Sequence, residues 1–111
     1  MPVESASAVL GFLRDATPAM VALLADLAAI ESPSDNPAAV APVLTRLEAE
    51  LQATGLTTRR ISGTRTGGIV VGRPEVRVKQ RPLQLLVGHC DTVWPVGTAT
   101  QMPVEIGRAH V

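Results

Sequence analysis

Aromatic residues are almost missing from this chain: there is no tyrosine, and Phe12 and Trp94 stand alone among 111 residues. Any core must therefore be packed from Leu, Val, Ile and Ala, and a surface that stacks nucleobases has almost nothing to stack them on. The single cysteine, Cys90, excludes an internal disulfide. Neither charge is in excess, with ten acidic against ten basic residues, which removes any general electrostatic attraction to nucleic acid or to an anionic membrane surface. The start Met1-Pro2-Val3-Glu4-Ser5 lacks a basic region followed by an apolar core, and no run approaches the roughly 18 apolar residues of a membrane span. The cytoplasm is the default location, and neither membrane nor nucleic acid is expected as a partner.

What is present is enough apolar matter, 46% of the residues, for one ordinary domain. Ser5 to Asp15 reads as a short helix capped at Ser5 or Ser7, with Val9, Leu10 and Leu13 on one face. Thr17-Pro18 then repeats a cap-then-proline start, and Met20, Leu23, Leu24 and Leu27 carry a second helix to about Ile30. After the loop Glu31-Ser32-Pro33-Ser34-Asp35, Asn36-Pro37 opens a third helix. Its stripe is Val40, Val43, Leu44, Leu47 and Leu51, and Gly55 stands where a left-handed cap belongs. Pro42 predicts an irregular first part of that helix; Arg46, Glu48 and Glu50 lie off the stripe, on a solvated face.

The pattern then turns extended. Leu56 to Ile61 and Gly68 to Gly72 read as strands about a Gly67-Gly68 turn, Pro74 to Pro82 as a polar connection, and Leu83 to Val87 as a third strand. Between Arg59 and Arg81 lie seven basic residues against Glu75, but they are divided among strands and turns and fit solvated edges better than a nucleic-acid patch. The expected fold class is α/β: about three helices, then three strands of an incomplete mixed sheet, the strand ending at Val87 or Gly88 being central and most buried.

Chemistry is concentrated where that strand stops. His89 and Asp91 follow Gly88 directly; an imidazole is a common metal ligand, and a carboxylate two residues on can brace it or bind metal itself. In an α/β sheet the carboxyl ends of strands are where ligands bind. Cys90 between them suggests a soft zinc ligand or a thiolate nucleophile. Alternation along an extended chain instead turns it away from its neighbours and makes it a small buried residue.

The run Leu85-Leu86-Val87-Gly88-His89-Cys90-Asp91-Thr92-Val93-Trp94-Pro95-Val96-Gly97-Thr98 resembles the first metal-binding segment of the co-catalytic zinc metallopeptidases. That family includes glutamate carboxypeptidase, aminoacylase, acetylornithine deacetylase and succinyl-diaminopimelate desuccinylase. Upstream, Leu24 to Ser34 looks like the family's opening helix with its Ile-Glu-Ser-Pro-Ser exit, so the resemblance covers roughly residues 18 to 104. It implies the N-terminal part of a zinc-peptidase-like α/β catalytic domain, with His89 as ligand to one of two zinc ions, for which cobalt or manganese can stand in. It further implies that Asp91, the candidate catalytic carboxylate, hydrogen-bonds that imidazole. The bridging aspartate, the Glu-Glu pair and the remaining ligands of the family have no counterparts here, so the fragment alone is expected to be inactive. The full-length protein is expected to hydrolyse the amide bond of an acyl-amino acid or short peptide, with a homodimer compatible with the family. Gly97-Thr98 and Met102-Pro103-Val104 look closest to the glutamate carboxypeptidase branch, and Trp94 and Pro95 are expected to shape the loop beside the metal.

Glu105-Ile106-Gly107-Arg108-Ala109-His110-Val111 is what a common sequencing adapter encodes in one frame. Residues 1–104 are accordingly read as the fragment of the catalytic domain and 105–111 as an adapter-derived tail, which removes His110 from consideration. Two other classes of function stand beside the hydrolase: a non-catalytic α/β binding module in which the His-Cys-Asp triplet is accidental, and a cysteine hydrolase using Cys90 with His89. Sequence neighbours on a strand project to opposite faces, which disfavours the last.

Overall fold

A computed structural model of the chain describes residues 3–107, with the order helix, helix, strand, strand and a terminal 3-10 turn. The class is mixed α and β as expected, but with two helices and two strands where three of each were expected.

The first difference lies at Pro18. Helix α1 runs unbroken over Val3–Ala29 with Pro18 inside it, so the two helices expected on either side of Thr17-Pro18 are one. The Thr17 hydroxyl does not cap a new helix; it donates to the Leu13 carbonyl at 2.8 Å, one turn back. Proline withholds one N–H from the ladder, and the flanking Ala, Leu and Met residues, strong helix formers, carry the helix across the gap. Most of α1 is exposed, and only its C-terminal end reaches the core, through Leu27 and the following Ile30. Continuity also changes the membrane arithmetic: by length and composition alone Ser5–Ala29 is long and apolar enough to cross a membrane, although Arg14, Asp15 and Asp26 lie along it.

Helix α2, Pro37–Ala53, follows its sequence signals. The Asn36 side chain accepts from the Ala39 amide at 3.2 Å, Pro37 occupies the first turn, and Gly55 (φ 86°) takes the left-handed position after the end. Pro42 is absorbed within the helix. Val40, Val43 and Leu44 from its stripe are the buried hydrophobic residues among those described, joined by half-buried Leu27, Ile30, Leu47, Val70 and Cys90. Arg46 and Glu48, expected on a solvated face, are half-buried: Arg46 pairs with Glu50 and Asp26, and Glu48 reaches Arg60 at 3.7 Å and the Thr58 hydroxyl at 3.0 Å, tying α2 to the sheet.

Strands β1 (Leu56–Ile61) and β2 (Ile69–Pro74) form an antiparallel hairpin with Leu56 opposite Pro74 and Ile61 opposite Ile69. They pack on α2. The third expected strand does not form. Leu83–Val87 joins no ladder, and its aliphatic side chains are among the most exposed in the chain, Leu86 at 96%. An aliphatic strand of this kind needs neighbours on both edges and cover on both faces. The hairpin is held by α2 on one side, and among the described residues neither of its strands pairs with the segment. The radius of gyration, 16.9 Å, exceeds the roughly 13 Å of a compact domain of this length, as an outlying helix and an undocked segment require.

Candidate functional site

With no sheet to hold it, the segment after Gly88 is held by the loop between the helices. Pro33 and Thr92 form an isolated parallel bridge: the Thr92 amide donates to the Ser32 carbonyl and the Ser34 amide to the Thr92 carbonyl, each at 2.8 Å. Two hydroxyls reinforce it, Ser32 Oγ donating to the Cys90 carbonyl at 2.8 Å and Ser34 Oγ to the Thr92 carbonyl at 2.9 Å. Ser32 is 1% exposed. Farther on, the Glu31 carboxylate accepts the Gly97 amide at 2.8 Å and the Ala99 amide at 2.9 Å, fixing the start of the 3-10 turn Thr98–Thr100. Those amides, Ala99 first, hold the Glu31 carboxyl below the ordinary carboxylate range. Trp94 and Pro95 sit beside this anchor and with it line a small cleft.

His89 is 85% exposed, and its Nδ1 lies 3.3 Å from Asp91 Oδ1 and 3.2 Å from the Asp91 carbonyl oxygen. Both neighbours are acceptors when the carboxylate is ionised, so the proton belongs on Nδ1 and the Nε2 lone pair is left open. The Asp91 carboxyl is held below its ordinary range, chiefly by the nearby Ser34 hydroxyl; burial opposes this, and Asp91's own amide and His89 add to it. Cys90 turns the other way and packs against the Val40–Val43–Leu44 cluster. Burial, and secondarily the Asp91 charge, push its thiol up, which opposes the thiolate a cysteine hydrolase needs.

His89, Cys90 and Asp91 line one end of a groove of about 650 Å³ whose walls are mainly apolar, from Val40, Leu44, Leu47 and Leu51 of α2 and Ile69 and Val70 of β2. Zinc sites take three or four protein donors, and among the described residues no group of three His, Cys, Asp or Glu side chains converges. The residues present therefore fit one ligand with its brace and do not by themselves fit a whole metal site. His110 lies outside the described residues.

The structure brings His89 and Asp91 together as their spacing predicts. The roles of Glu31, Ser32 and Ser34 were missed, since the sequence reading treats residues 31–35 as a loop and nothing more. Their one signal was the order Glu-Ser-Pro-Ser before His-Cys-Asp, met only as part of the family resemblance. Comparison with protein-family models, with curated proteins and with solved structures finds no match for this chain.

Proposed function

We propose that the chain is the N-terminal part of a catalytic domain of the co-catalytic zinc metallopeptidase type, contributing one metal ligand, His89, and its bracing carboxylate, Asp91. The observation that carries this reading is the exposed His89 ring with Nδ1 turned to Asp91, at the end of a groove. In the complete protein a pair of divalent ions, one of them held by His89, would polarise the substrate carbonyl and lower the pKa of a water. This chain's part is narrower. Asp91 fixes the imidazole tautomer and makes the ring the better donor, Cys90 packs inward and stays out of the reaction, and the Glu31–Ser34 loop holds both groups in place. The complete, cytoplasmic enzyme, with the Leu83–Val87 strand seated in an α/β sheet, would cleave the amide bond of an acyl-amino acid or short peptide. A glutamate carboxypeptidase-like specificity is the branch that the Gly97–Val104 stretch favours.

The test is an amide-hydrolysis assay, with metal content measured in parallel, on the protein extended by the natural gene sequence downstream of Val104. His89→Ala should abolish turnover and lower metal content. Asp91→Asn should keep most of the metal and lower turnover, since the amide can accept from the ring but carries no charge. Wild-type turnover in His89→Ala would end the mechanism. The 650 Å³ groove, within the size range of small-molecule pockets, favours a second reading as a non-catalytic binding module. Zinc affinity of the extended protein that survives His89→Ala would select it.

A further inference from the structure

The unbroken course of α1 through Pro18 puts apolar residues on one seam that two separate helices would not have shared. Leu10, Leu13, Thr17, Met20, Leu24 and Leu27 follow one another at alternating steps of three and four, the a and d positions of a heptad repeat, and Ala6 continues the series upstream. Leu10, Leu13, Met20 and Leu24 are 43–54% exposed, and of the six only Leu27 reaches the core. The one polar member is already satisfied: the Thr17 hydroxyl donates to the Leu13 carbonyl at 2.8 Å, so covering it strands no donor. Arg14, Asp15 and Asp26 fall at positions e, f and c, off the seam, and Pro18 falls at b, on the outer face.

We infer that α1 is a self-association surface whose occupant is the same seam of a second copy, giving a two-fold helix pair from Leu10 to Leu24. A heptad seam is complemented by another helix of the same period. Among the described residues α2 is the other α-helix, and its stripe is spent on the core, where Val40, Val43 and Leu44 are buried. The open seam of matching period is therefore α1 of another chain, and an isologous pairing closes at two copies. A bilayer is the competing occupant, since Ser5–Ala29 is long and apolar enough to cross one. Arg14, Asp15 and Asp26 make that span costly in hydrocarbon, whereas all of them stay in water when seam meets seam. The surface belongs to α1 alone and does not depend on the metallopeptidase reading.

The experiment is sedimentation equilibrium of the 111-residue chain over roughly 1–200 µM, with far-UV circular dichroism to check that each variant folds. Wild type should give a reversible monomer–dimer equilibrium. Leu13→Glu should weaken it by about tenfold or more, because it buries a charge at d. Phe12 is the control: at 70% it is the most exposed large apolar side chain of α1 among the described residues, yet it stands at c. Phe12→Glu should leave the dissociation constant within about twofold, whereas bilayer insertion or unspecific adhesion would suffer from it at least as much as from Leu13→Glu. Thr17→Ile places a β-branched apolar side chain at a and should tighten the dimer by roughly tenfold, a readout that stands even where the glutamate variant unfolds. A wild-type chain monomeric throughout, no tightening in Thr17→Ile, Phe12→Glu as damaging as Leu13→Glu, or flotation of the wild type with phosphatidylcholine vesicles in place of dimerisation overturns the proposal. So does association relieved by Leu86→Lys and untouched by Leu13→Glu, which would assign it to the exposed 83–87 segment. In the protein extended beyond Val104, a Leu13→Glu variant that unfolds at unchanged mass would give the face to a later segment of its own chain and overturn it as well.

Discussion

Ser32→Ala tests whether the bridge between residues 32–34 and 90–92 is a structural joint or a passing contact. Ser32 is 1% exposed, and its hydroxyl donates to the Cys90 carbonyl at 2.8 Å. Alanine leaves the backbone bond from the Thr92 amide in place and opens almost no cavity, so the change isolates one hydrogen bond. A typical net bond contributes about 0.5–1.5 kcal/mol, and leaving a buried acceptor unpaired costs about 1–3 kcal/mol. Cys90 is only partly buried, so water can reach its carbonyl in part, which places the expected loss near 1–2 kcal/mol. In a chain of this size that lowers the melting temperature by roughly 4–15 °C. Urea unfolding followed by far-UV circular dichroism measures it, with exposed Ser5→Ala as a control expected to fall within about 0.5 kcal/mol of wild type. The midpoint should fall at unchanged slope. A Ser32→Ala midpoint indistinguishable from that control would mean that the joint does not hold the segment.

Val43→Ala removes two carbons from the most buried side chain of the core and should cost about 2 kcal/mol in the same urea experiment, more than Ser32→Ala. Gly67→Ala places a Cβ against the Val40 side chain, where the turn presses on α2, and should destabilise by about 1–3 kcal/mol, read as a lower urea midpoint. Because the folded-state pKa of Glu31 lies below its ordinary value of 4.5, its contribution to stability is present above that value and is lost as pH falls through the lowered one. Urea midpoints from about pH 6 downward should therefore fall more steeply in wild type than in Glu31→Gln, and parallel curves would refute the anchor.

The helix α2 was legible because its signals agreed, Pro42 apart: Asn36-Pro37 to begin, a stripe that became the core, and Gly55 to end. Thr17-Pro18 carried the same opening signal and did not open a helix. The difference lies in what precedes it, since Ser32 and Ser34, on either side of Pro33, are bonded to Thr92 and the chain leaves the helical path there, whereas Asp15 and Ala16 stay within it. A cap signal states where a helix can begin, not that the previous one has stopped. Leu83–Val87 reads as a strand from its own residues and forms none, because the neighbours a strand needs are not encoded in those residues. The His89–Asp91 contact could be read from a spacing of two. The Glu31 anchor could not, because it spans 66 and 68 residues of sequence and follows no period.

The undocked Leu83–Val87 segment also bears on how this chain stays dispersed in solution. Five largely aliphatic, exposed residues with open backbone groups are a template for stacking against identical segments of other chains. Flanking charge and proline oppose such stacking, and Arg77, Lys79, Arg81 and Pro82 stand immediately upstream. The cations read from sequence as solvated edges are thus placed where gatekeepers belong, and replacing them should be felt first as precipitation during expression.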